Sequence, residues 1–188
     1  VITVLIAVVV LGGLYAWYAT IVARKNRVAE ALAGVDVQLT QRHELIPNVL
    51  AIAKRFMAHE TELLEDIARL RATGASKVGA TEPGAVTEKF QAEAALDLGM
   101  GRLFAVAENY PELRSSELMV EAQRTYQEVE TNIAAARRFY NSAVGQLRNA
   151  VQVFPGSLLA GLAGAATLPP FYEAEAAARA PVSAADHL

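Results

Sequence analysis

The residue types best suited to chemistry fall in two short pairs, His43-Glu44 and His59-Glu60, with Glu62, Glu65 and Asp66 close behind. A zinc site on one helix sets two histidines a single turn apart, so that both nitrogens reach one ion. Here 16 residues separate them, which on an unbroken helix is about 160° around the axis and roughly 24 Å along it. That spacing argues against a shared metal, and no metal is expected. The carboxylates stand beside Lys54, Arg55 and Arg69 as charges on a helix face. With no cysteine there is no thiol nucleophile, disulfide framework or thiolate site. A glycine-rich phosphate loop and a G-x-S-x-G elbow are also missing from the sequence. These features give no reason to expect an enzyme or a cofactor. A net charge of −3 with interspersed signs supplies no basic field, so nucleic acid is not an expected partner.

The elements that would position such residues are helical throughout. Residues 1–23, VITVLIAVVVLGGLYAWYATIVA, carry no charge and are long enough to cross about 30 Å of hydrocarbon as a helix. Tyr15, Trp17 and Tyr18 sit where amphipathic rings favour the headgroup level, and Arg24, Lys25 and Arg27 follow at once. An uncleaved anchor is expected, with the positive flank in the cytoplasm and the N-terminus outside. A signal peptide would instead start with basic residues and carry a shorter apolar run before a small-x-small site.

Beyond the anchor, Val28, Leu32, Val35, Leu39, Ile46, Val49, Ala53, Phe56, Leu63, Ile67 and Leu70 follow a heptad seam. Arg42 and Glu60 occupy two of its places and are candidate polar registers. Pro47 lies inside this helix, where it withholds the N–H that would bond the His43 carbonyl. That costs about 3 kcal/mol unless a bend, water, or the side chains of Arg42 and Asn48 compensate. Residues 71–84, RATGASKVGATEPG, read as a loop. A second helix is expected over 85–109 with Val86, Phe90, Leu96, Met100, Leu103, Phe104 and Ala107 as its stripe, ended by Tyr110-Pro111. Ser115 or Ser116 can cap a third helix whose seam runs from Met119 through Tyr126, Ile133 and Tyr140 to Leu147 and Phe154, stopping at Phe154-Pro155. A short apolar helix follows. The fold class is all-α: an N-terminal membrane helix (1–23) continuing into an antiparallel bundle of three long helices plus the short one (24–172), with an Ala-rich tail (173–188).

Several blocks also carry a family likeness. KNRVAEALAGVDVQLTQRHELIPNVL, HETELL, AVAENYPELRSSELM, RRFYNSAV and FPGSLLAGLAG occur in that order, and together they resemble the signature blocks of the LemA family of bacterial membrane proteins. The resemblance implies an uncleaved anchor and a helical bundle. It also implies that Asp36, Gln38, Arg42, Leu45, Ile46, Pro47 and Asn48, then Tyr110 with Pro111, and Arg137 with Tyr140 and Asn141, belong to family motifs. It brings no catalytic residue.

If residues 24–72 form one straight helix, they reach roughly 70 Å from the bilayer, residues 85–109 return by about 37 Å, and residues 116–154 run out again. The last apolar segment is then expected far from the membrane. A competing reading lets 149–168 enter the bilayer as a hairpin or second span, for which Pro155 and the glycines are poorly suited. From Phe139 to Tyr172 the only charge is Arg148, and apolar surface of that kind marks interfaces. The expected function is a scaffold that self-associates into a homo-oligomer and organises or shapes a patch of the bacterial inner membrane. An adaptor or sensor serving a membrane protease or another membrane protein is the alternative, and a hydrolase at the bilayer surface a remote one. Pro47→Ala and Arg42→Leu are expected to change assembly before folding.

Overall fold

The computed structural model describes residues 1–79 and 81–172; the tail 173–188 lies outside the described residues. Among the described residues six helices follow one another: α1 (Ile2–Phe56), α2 (Thr61–Ala75), α3 (Pro83–Ala107), α4 (Pro111–Arg114), α5 (Glu117–Gln152) and α6 (Gly156–Leu159). Among the described residues there is no strand. The all-α class holds, with α1, α3 and α5 as the long helices and α6 as the short C-terminal one.

The long first helix ends sooner than its seam suggests. It stops at Phe56, and the expected run to residue 72 is broken by a turn at Met57–Glu60. No glycine or proline marks the place. Tertiary contacts override local propensity there: the Met57 side chain is fully buried, the Glu60 N–H bonds the Met57 carbonyl at 3.1 Å, and the Tyr110 hydroxyl donates to the Glu60 carboxylate at 3.0 Å.

That turn reverses the direction of everything after it. Arg42 meets Glu130 and Trp17 meets Ala150, so α5 runs antiparallel to α1. Asp36 meets Lys89 and Arg42 meets Glu93, so α3 runs parallel to α1. Gly74 faces His43 and Glu93, which sets α2 antiparallel to both. The result is an up-down-up-down four-helix bundle. The apolar segment after α5 therefore lies beside Trp17, at the end where α1 leaves the bundle, and the expectation that it lies far from that end is corrected.

The connections behave locally as their residues dictate. Pro83 and Pro111 each stand in a first helical turn, where a missing N–H costs nothing. Ser116 occupies the N-cap of α5 without a side-chain cap bond, and the Ser115 hydroxyl bonds Glu112 instead. Gly79 adopts φ of 85° in the α2–α3 connection, and its N–H donates to Asp36 at 3.1 Å.

Two apolar clusters fill the bundle. One, near the N-terminal end of α1, gathers Ile21, Val28, Val35, Leu39, Phe90, Ile133, Tyr140 and Leu147. The other, at the far end, gathers Ile46, Val49, Met57, Ile67, Leu96, Met100, Leu103, Leu113 and Met119. The first 19 residues of α1, Ile2 to Thr20, lie almost wholly outside this packing; Ile21 is the first buried residue. That part is long and apolar enough to cross a membrane.

Candidate functional site

Between the two clusters sits a layer of charge. Arg42 on α1 is 0% exposed, and its guanidinium bonds the carboxylate of Glu93 on α3 and, at 2.8 Å, that of Glu130 on α5. It also reaches the Glu93 carbonyl at 3.3 Å. His43 donates from Nε2 to the second Glu93 oxygen at 2.8 Å. One turn toward the N-terminal end, Lys89 is fully buried and donates to Asp36 at 2.7 Å. Charges this deep are tolerable only when paired, and these are, although Arg42 Nε and His43 Nδ1 have no hydrogen-bond partner among the described residues.

The electrostatics follow from the geometry. Burial disfavours the Arg42 charge, but Glu130 and Glu93 outweigh it and hold the guanidinium more firmly protonated. Burial likewise opposes ionisation of Glu93, and His43 with Arg42 holds its carboxyl below the usual carboxylate range. The Tyr126 phenol is pushed upward by burial and then by Glu130. The arrangement sets each buried charge against an opposite one. It closes the bundle's waist, and Gly74 lets α2 approach: a Cβ there would come within 2.9 Å of Glu93 Oε1 and of His43 Cε1.

Pro47 belongs to the same waist. It stands inside α1, and the His43 carbonyl it leaves without a backbone donor is bonded by Arg71 Nε from α2 at 2.7 Å. The compensator is thus neither Arg42 nor Asn48. Arg42 is spent on its two carboxylates, and Asn48 is exposed along a shallow groove with Ile52, Arg55 and Leu118. Pro47 lines a groove of about 450 Å³ at the α1–α2 elbow with Leu50, Met57 and Leu64. His59 is exposed in that elbow, so the two histidines do not meet.

The other motif residues divide between the two ends. At the far end, Tyr110 with Pro111 ties the α3–α4 corner to Glu60. At the near end, Arg137, Tyr140 and Asn141 clasp the chain after α6. The Tyr140 hydroxyl, its pKa pushed up to about 12 by burial, donates to the Pro170 carbonyl at 2.8 Å. Asn141 exchanges two bonds with the Tyr172 backbone at 2.7 and 2.9 Å. The Tyr172 ring stacks on Phe90 at 3.8 Å, and the Arg137 guanidinium covers it at 4.3 Å. Phe154, placed on the α5 seam by its spacing, is exposed beyond the helix end, and Pro155 is the N-cap of α6.

Sequence reasoning missed Glu93, Glu130, Lys89 and Arg71 as partners of the opening motif. Each looks like an ordinary helix-face charge, although Glu93 and Lys89, four residues apart, share a turn with Phe90 and Leu96 of the apolar stripe. No curated protein matches the chain. The LemA family model matches residues 31–184, which takes in the waist, the Met57–Glu60 elbow and the C-terminal clasp. The blocks quoted from the sequence and the match over most of its length agree, and the chain belongs to the LemA family.

Proposed function

We propose that this chain is a membrane-anchored helical scaffold of the bacterial inner membrane. Residues 2–20 cross the bilayer with the N-terminus outside, the bundle stands in the cytoplasm, and tethered copies self-associate into a large oligomer that organises or shapes the membrane around them. The observation that carries the reading is a segregation of surface. The apolar stretch of α1 is exposed, whereas the buried charges of Arg42, Lys89 and Glu93 are ion-paired within the chain. Arg24, Lys25 and Arg27 at the end of that stretch support the orientation. The reading assigns no catalysis.

Contacts between copies fall to surface apolar residues, because the seams of α1 and α5, Phe154 apart, face the inside of the bundle. Val37, Leu98, Leu118 and Val120 are exposed on it, and weak contacts gain strength when copies share one membrane plane. The chain has no cysteine, so single-site oxidation tests this directly. Val37→Cys, Leu98→Cys, Leu118→Cys and Val120→Cys, oxidised in native membranes, are expected to give disulfide-linked dimers at one or more sites. Monomers at every site refute self-association through these faces.

The groove at the α1–α2 elbow favours a second reading. Apolar walls from Pro47, Leu50, Met57 and Leu64 with Lys54 and Glu65 beside them suit a side chain of a partner, as an adaptor to a membrane protease or another membrane protein would require. Leu50→Glu would release such a partner and leave the oxidative dimers unchanged.

A further inference from the structure

We propose that the tip formed by the end of α5 and by α6 is a second membrane contact, a shallow apolar wedge lodged in the lipid interface beside the span. This rests on reading residues 2–20 as that span. At 1.5 Å per residue they extend about 28 Å, close to the thickness of a hydrocarbon core, so its boundary falls near Thr20. Trp17 then lies about 5 Å inside that boundary, at the depth aromatic belts occupy.

The tip is fixed at this level. Trp17 Nε1 donates to the Ala150 carbonyl at 3.0 Å. Gly156 closes on the same place, where a Cβ would sit 1.9 Å from the Ala150 oxygen and 2.7 Å from Trp17 Nε1. From this anchored corner the chain presents Phe154, Leu158 and Leu162, which are 75%, 69% and 77% exposed, and Val153 beside them. Residues 149–172 contain no charge. Exposed apolar side chains elsewhere on the bundle, Val37, Leu98, Leu118, Val120 and Phe139, are spread over α1, α3 and α5, whereas these lie within ten consecutive residues at bilayer height.

The surroundings fit lipid. Arg24 bonds Gln146, Arg27 covers the Phe139 ring at 4.9 Å, and Arg148 covers Phe171 at 4.4 Å. Lys25 Nζ lies next to Gly164. This basic rim stands at the level of headgroup phosphates, where each Lys or Arg favours an anionic leaflet. The segment does not cross, because Tyr140, Asn141 and Arg148 pull residues 169–172 back onto α5. A helix corner with its apolar side in the acyl boundary and cations at the headgroups is the arrangement of interfacial anchors.

The test uses the full chain reconstituted in vesicles of phosphatidylcholine and phosphatidylglycerol. An environment-sensitive fluorophore is placed on Leu158→Cys, Leu162→Cys, Val9→Cys, Leu98→Cys or Leu118→Cys in separate samples. Lipids carrying a nitroxide near the top of the acyl chain then report contact. The wedge requires blue-shifted emission and loss of intensity at 158 and 162, as at 9, with water-like, unquenched emission at 98 and 118. Quenching at 9 alone overturns the wedge and leaves the span standing. No quenching at 9 removes the span and the wedge with it. A blue shift at 158 and 162 without quenching assigns the tip to a neighbouring protein copy, and quenching at 98 and 118 as well would lay the whole bundle on the membrane; each result overturns the proposal.

Discussion

Two stretches of α1 invert the usual relation between polarity and exposure. Residues 2–20 are apolar and exposed, and Arg42 with His43 are polar and buried. One continuous helix serves both, its backbone hydrogen bonds made within it except at the His43 carbonyl, which Arg71 bonds instead. What differs is the side-chain surroundings. The first stretch matches a hydrocarbon solvent, and the second meets carboxylates delivered by α3 and α5. Exposure alone therefore says little about either stretch until its surroundings are named.

The comparison breaks most sharply at Arg42. Arg42→Leu leaves Glu93 buried without its guanidinium and is expected to cost about 3–5 kcal/mol in urea unfolding, while Arg42→Leu with Glu93→Leu and His43→Leu loses much less, since an apolar replacement of a whole buried cluster is nearly neutral. This places folding before assembly, the reverse of what the sequence suggests for Arg42. The mirror experiment puts the same charge in the other stretch. Val9→Arg should weaken insertion by about 2.5–3.5 kcal/mol, read as protein released from membranes by alkaline carbonate.

A smaller effect is expected at the proline. Arg71→Ala removes the donor to the His43 carbonyl and should cost about 1–3 kcal/mol, the range for a buried acceptor left unmade. With Pro47→Ala in place a backbone N–H bonds that carbonyl again, so Arg71→Ala should then cost clearly less; equal costs in both backgrounds would show that the contact carries no energy. The least effect is in acid. Glu93 has a lowered folded pKa, so its contribution is present above its ordinary value of 4.5 and lost as pH falls through the folded value below it. Glu93→Gln should flatten the stability profile in that window, read by urea unfolding at a series of acid pH values.

Periodicity made α3 and α5 legible to within two residues at most ends, and the out-of-place Arg42 marked the waist before any partner was known. The partners were not legible. Glu93 and Glu130 are ordinary carboxylates until the bundle's register brings them to Arg42, and register is a property of the whole fold. The elbow at Met57–Glu60 escaped for a related reason. Its seam stays in step through the break, and the turn is held by Tyr110, fifty residues on. Missing one elbow inverted the direction of three helices and moved the apolar tip from one end of the molecule to the other.

The measurement that bears most directly on the scaffold is the mass of the full chain extracted in mild detergent or nanodiscs, by light scattering. Leu118→Glu with Val120→Glu is the comparison, since it changes the surface and leaves the Tyr172–Phe90 stack in place. The account requires a discrete species several times the 20.1 kDa chain mass that collapses in the double variant. A wild-type chain at 20.1 kDa after the detergent or lipid is subtracted would contradict it.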